Sequence, residues 1–196
     1  MSAHGIKSAT SAFGALRGCF FANKDINLID KGKVYVAICL SVLLYGSECW
    51  RLTEKLYNKL RTFHSKCARA MCRITMHHTI KHHIKSQTLY TRLGITNFDK
   101  YCNKRLLSWA GHMARMPMAR LPRKMLTGWV SHARPVGAPQ MTVGRTPNKS
   151  LKSAGISTDF NRWHKLAQDR VAWRRNINKK QYHTTSQVTM DKQCLN

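Results

Sequence analysis

Acidic residues are what this sequence has least of. Eight Asp and Glu stand against 34 Lys and Arg in 196 residues, a formal net charge of +26. The carboxylates are Asp25, Asp30, Glu48, Glu54, Asp99, Asp159, Asp169 and Asp191, and between Glu54 and Asp159 only Asp99 is acidic. Two-metal phosphoryl transfer needs carboxylates clustered around its ions. No adjacent pair exists here, so the sequence offers no self-contained polymerase or nuclease centre. We assign no catalytic residue and expect the chain to be inactive alone.

Long apolar runs are also missing. The longest, residues 34–45, carries Cys39 and Ser41 and is too short to span a bilayer, so no membrane insertion is expected. Residues 1–10 are polar and no long apolar stretch follows directly, which is not the pattern of a secretory leader. Seven cysteines form no C-x-x-C pair and no regular spacing. That disfavours a disulfide framework and favours a reducing, intracellular compartment, nucleus or cytoplasm. Neither strand-like alternation nor an internal repeat is found. Proline is confined to Pro117, Pro122, Pro135, Pro139 and Pro147, so helices can run unbroken elsewhere.

What is present is helical periodicity. Ala12, Phe13, Leu16, Cys19 and Phe20 predict a helix over 8–21, weakened by Gly14 and Gly18. Asn27 is an N-cap candidate for an apolar helix over 28–45, closed by Gly46 in a left-handed C′ position, with Trp50 folding back over the turn. Thr53 opens the next helix, 53–74, with Leu56, Leu60, Phe63, Cys67, Met71 and Ile74 on one stripe. Ser86 is the N-cap candidate of a short helix through Leu89 and Leu93, ended by Gly94. Thr96 and Asp99 form a capping pair for a helix to Met116 that is stopped by Pro117. Residues 117–150 change character: a helix is expected at 123–130, and 131–145 reads as a basic Pro/Gly loop. Thr146-Pro147 starts a short helix ended by Gly155, and Ser157, Thr158 or Asp159 caps a final helix carrying Phe160, Trp163, Leu166, Ala167 and Trp173. The expectation is an all-α fold, an irregular helical bundle. Its segments are 1–75, 76–175 and a tail, 176–196, expected to be disordered.

A charge of +26 repels itself, and a polyanionic partner is the simplest explanation. At helical spacing Lys55, Lys59, Lys66 and Arg73 fall in a narrow sector beside the apolar stripe, with Arg69 at its border. A merely solvated helix face usually mixes signs, and no acidic i,i+4 partner lies along this sector, so phosphate contact is the favoured reading. Trp109 and Trp163 read as core, whereas Trp129 and Trp173 fit either core or base stacking. His64, Cys67, Cys72, His77, His78, His82 and His83 supply zinc-type ligands. Cys72 points away from the His64/Cys67 face, however, and Cys67 belongs to the apolar stripe. We therefore assign no metal and no cofactor.

Several stretches together resemble one family. Leu43-Leu44-Tyr45-Gly46-Ser47-Glu48-Cys49-Trp50 is similar to the LLYGSETW-type segment of non-LTR (LINE-like) retrotransposon reverse transcriptases. Leu60, Phe63-His64, Cys67 and Arg69 match the leucine, phenylalanine-histidine and cysteine-x-arginine positions that come next in those proteins. Arg105-Leu106-Leu107-Ser108-Trp109-Ala110-Gly111-His112-Met113-Ala114-Arg115-Met116-Pro117 resembles the RLRWLGHVxRMP box, and Arg120-Leu121-Pro122-Arg123 the step after it. Gly144-Arg145-Thr146 and Leu166-Ala167-Gln168-Asp169-Arg170-Val171-Ala172-Trp173-Arg174 resemble the closing GR and LAxDRxxWR elements. Cys49 stands where the family often has threonine, and the stretch 77–83 has no fixed counterpart.

The resemblance spans roughly residues 13–175 and covers only the part downstream of the polymerase core. It implies a thumb that packs on the palm and grips template–primer, followed by a C-terminal region that helps bind element RNA or target DNA. The family's Tyr/Phe-x-Asp-Asp motif, fingers and nuclease carboxylates are absent. The implied partners are RNA, DNA or an RNA–DNA hybrid, and the missing palm and fingers. The expected nucleic-acid contacts are Lys55, Lys59, Lys66, Arg69 and Arg73, from the helical sector described above, together with Arg115, Arg120, Arg145, Arg170 and Arg174 of the later stretches. Part of the apolar helix 34–45 should then be exposed, because the surface it would cover is not in this chain.

Overall fold

The computed structural model describes residues 2–50, 53–127 and 147–178. Among these there is no strand, and the fold is all-α. Expectations for Trp129, Arg145, the loop 131–145 and residues 179–196 of the expected tail 176–196 lie outside the described residues, and 176–178 belong to the last helix. The chain divides into two compact units, Met1–Leu106 and Leu107–Asn196, and the expected segment border at 75/76 lies inside the first.

In the first unit α1 (Ser2–Leu16) continues into a wider π-type turn, Arg17–Phe21. The helix begins earlier than expected because Ile6 and Ala9 extend the apolar stripe of Phe13 backward into the core. α2 (Leu28–Val34) starts at Asn27, whose Oδ1 accepts from the Ile29 N–H at 3.0 Å, as expected. It passes through a π-type stretch, Tyr35–Leu40, into α3 (Ser41–Leu43). Gly46 then takes φ +67°, the left-handed position expected of it. Tyr35, Cys39, Leu40 and Leu43 of this run are buried, while Ile38 (43%), Val42 (38%) and Tyr45 (81%) stand exposed. That is the uncovered apolar strip the sequence led us to expect.

α4 (Glu54–Met71) buries Leu60, His64, Cys67, Ala68 and Met71 against α1, α2 and α6 (Ser86–Arg92). α5 (Met76–Lys81) lies between them in sequence. Each of α4, α5 and α6 ends in the same device. The N–H of Ile74 bonds to Arg69 O, that of Ile84 to Thr79 O and that of Ile95 to Tyr90 O. The residue before each isoleucine is left-handed: Arg73 (φ +58°), His83 (φ +50°) and Gly94 (φ +63°). This is the Schellman arrangement, with an apolar residue sealing the end. Only Gly94 was legible beforehand, because the other two positions carry side chains that rarely adopt this conformation.

α7 (Phe98–Ala114) is capped by Asn97, whose Oδ1 accepts from the Lys100 N–H at 3.1 Å, not by Thr96. Thr96 instead offers its carbonyl to His64, and Asp99 pairs with Arg61 at 2.8 Å. Arg105 Nε donates to Glu48 Oε1 at 2.8 Å. A charge pair thus joins two of the stretches that carry the family resemblance.

The second unit contains the end of α7, α8 (Leu121–Thr127), α9 (Asn148–Ser153), α10 (Phe160–Gln168) and α11 (Arg170–Asn178). α9 closes as expected at Gly155 (φ +69°), with Ile156 N–H on Leu151 O. The single last helix expected from the sequence is two. Asp169 interrupts it in extended conformation, and its Oδ1 accepts from the N–H groups of Val171 (2.8 Å) and Ala172 (3.1 Å), capping a new helix. Trp163 and Trp173 are both core residues. Trp173 Nε1 donates to Leu107 O at 3.0 Å, and a Cβ on Gly111 would lie 2.1 Å from that nitrogen. The glycine is therefore required by the indole. The two helix ends cap each other. Gln168 Nε2 donates to Ala114 O at 3.1 Å, and Arg115 Nη1 donates to Ala167 O at 2.7 Å.

Candidate nucleic-acid interface

The ion pairs sort the cations. Among the described residues, pairs form at Lys33–Asp30, Arg61–Glu54, Arg61–Asp99, Arg105–Glu48 and Arg162–Asp159. None uses Lys55, Lys59, Lys66, Arg69 or Arg73. Lys55, Lys59, Lys66 and Arg73 are exposed on α4 and its terminus, and Arg69 is half-buried. The apolar stripe of α4 fixes this arrangement. With Leu60, His64, Cys67 and Met71 turned inward, residues a turn away on the other side must face outward.

The C-terminal end of α4 and the π-type turn after α1 enclose an open depression of about 500 Å³. Lys66, Arg69 and Arg73 of α4 and its end line it together with Arg17 of the turn, beside the apolar Phe13, Ala70 and Ile74. No carboxylate occurs among its described walls. Arg17 was not singled out in the sequence, because it lies outside every periodic basic sector and joins this group only through tertiary packing.

A second cationic group lies in the second unit. Burial lowers the pKa of Arg115 from its ordinary value, and the charges of Arg170 and Arg174 lower it further. Three of the expected cations are thus brought into mutual repulsion, an arrangement that an anion would relieve. Arg115 also holds the end of α10, so one of its nitrogens is committed to the fold. Arg120 is exposed between α7 and α8.

The zinc-type residues do not converge. His64 is fully buried, with Nε2 2.9 Å from Thr96 O and Nδ1 2.9 Å from Tyr35 Oη. The carbonyl can only accept, so Nε2 carries the proton and Nδ1 accepts from the tyrosine. Burial pushes the Cys67 thiol up to about 12 and Cys39 to about 11. His77, His82 and His83 are exposed and His78 half-buried, the His78 and His82 rings lying 4.2 Å apart. Among the described residues no three His, Cys, Asp or Glu side chains are placed to hold an ion. No helix there is long and apolar enough to cross a membrane.

These features define an all-α protein with two groups of cations that form no ion pair with a carboxylate among the described residues. An uncharacterized transposon-derived protein of Caenorhabditis elegans is 29% identical to it over 156 residues, which cover 76% of this chain and 52% of that protein. The chain spans about half the length of this curated relative. No protein-family model and no solved structure matches.

Proposed function

We propose that this chain is a non-catalytic, nucleic-acid-binding piece of a retroelement reverse transcriptase, corresponding to the thumb and the region after the polymerase core. The observation that carries this reading is the sorting of charge. Five of the eight carboxylates, Asp30, Glu48, Glu54, Asp99 and Asp159, pair with Lys33, Arg61, Arg105 and Arg162, while Lys55, Lys59, Lys66, Arg69 and Arg73 are left without an ion-pair partner among the described residues. Likeness to a transposon-derived protein supports it, as does the ordered set of stretches from Leu43 to Arg174. Binding is electrostatic: the cations track phosphates of RNA, DNA or a hybrid, and the aromatic stripes hold the helices that present them. Fluorescence anisotropy with a labelled RNA–DNA hybrid tests it. Affinity falls steeply with added salt if the reading holds, and a flat salt response rejects it.

A second reading rests on Ile38, Val42 and Tyr45, which recur at i, i+4 and i+7 and are exposed. In this reading the strip docks the missing palm, and the chain has no binding activity of its own. A chain that folds cooperatively by circular dichroism yet ignores nucleic acid would favour docking alone. A chain that does not fold would mark a decayed relic.

A further inference from the structure

The depression beside α4 has a form that a smooth phosphate-tracking face does not need. Its lining joins apolar residues, Phe13, Ala70 and Ile74, to four cations from two elements, Arg17 of the turn after α1 and Lys66, Arg69 and Arg73 of α4 and its end. A duplex presents its phosphates on a convex outer surface and keeps its base faces stacked inside. It would meet the cations and leave the apolar lining uncovered. An unpaired nucleotide has both chemistries in one group: a phosphate for the cations and an aromatic face for the apolar lining. The volume, about 500 Å³, lies within the roughly 300–1,000 Å³ of small-ligand sites. That is room for one nucleotide and not for a paired stack.

We propose that this depression holds an unstacked nucleotide of a single-stranded nucleic acid, its phosphate at Arg17, Lys66, Arg69 and Arg73 and its base or sugar on the apolar lining. The proposal rests on the nucleic-acid reading above and adds strand specificity to it. Arg17 becomes a specificity residue, and a larger side chain at Ala70, which lines the depression, should occupy part of it.

The test uses the full chain with two probes: an oligodeoxynucleotide of about ten residues with a central 2-aminopurine, and the same sequence as a blunt duplex. Wild-type protein should raise the 2-aminopurine emission of the single strand as the base leaves its stack. Ala70→Phe should abolish that rise and weaken single-strand binding about tenfold while leaving duplex affinity unchanged. Arg17→Ala, an exposed change that leaves the core intact, should weaken single-strand binding about fivefold with the same duplex control. Equal losses for both probes, or none for either variant, overturn the strand proposal and leave the nucleic-acid reading standing. A wild-type chain that binds neither probe overturns both.

Discussion

His64 shows how a residue that invites a functional reading can belong to the core. Its two ring nitrogens are satisfied by Tyr35 and Thr96, and Tyr90, Phe98 and Tyr101 surround the ring. Burial holds its pKa below the ordinary value, although the Thr96 carbonyl and Asp99 oppose this. An unfolded chain binds the proton at about pH 6.5. Below that pH the unfolded state therefore takes up more protons than the native state. The stabilisation is fully present above it and is lost as pH falls towards the folded pKa. Urea titrations from pH 7.5 down to 5 should show falling stability, and His64→Gln should shallow that slope. An unchanged slope would mean that His64 does not set the pH dependence. Arg73 is different: it is exposed, without an ion-pair partner and left-handed, where glycine would be easier. Arg73→Gly should raise stability by about 1 kcal/mol and weaken nucleic-acid binding. His83→Gly, at the same kind of helix end, should give the stabilisation without the binding loss. If Arg73→Gly costs stability instead, Arg73 belongs to the fold and not to the interface.

At the scale of elements, the stretches that carry the resemblance largely encode contacts with one another. Glu48 meets Arg105, Trp173 lies on Gly111, and Arg115 caps the helix ending at Gln168. Gly111→Ala would drive a methyl into the indole. It should destabilise the chain by about 2–3 kcal/mol, read as a lowered denaturation midpoint. Near-neutral behaviour would mean that the Trp173 placement is wrong. Helix existence was legible because apolar spacing survives folding unchanged: the stripes of α4 and α10 and the caps at Asn27, Gly94 and Gly155 could be placed beforehand. Helix ends were less so. Asn97 replaced Thr96 as a cap, and Asp169 divided a helix whose apolar period continues across the break. The π-type turns leave no mark in the spacing. Of the candidate site, the α4 sector could be read from periodicity. Arg17 could not, since its neighbours come from residues about 50 positions away in sequence.

Over the whole molecule, charge is the governing quantity. A net charge of +26 destabilises the compact state through self-repulsion, and the Arg115, Arg170 and Arg174 group is one place where that repulsion concentrates. A bound polyanion relieves it and stabilises by mass action. Thermal melts with saturating RNA–DNA hybrid should therefore move upward, and high salt should cancel most of the shift. If the α4 cations contact phosphates, the salt dependence of binding counts those contacts. The decisive measurement is the slope of log affinity against log salt for wild type and for a Lys55→Ala/Lys59→Ala/Lys66→Ala chain on one hybrid. We predict a steep wild-type slope that becomes shallower by about 2–3 in the triple variant, close to one unit per lost phosphate contact. Equal slopes for the two proteins would contradict phosphate contact by this face of α4.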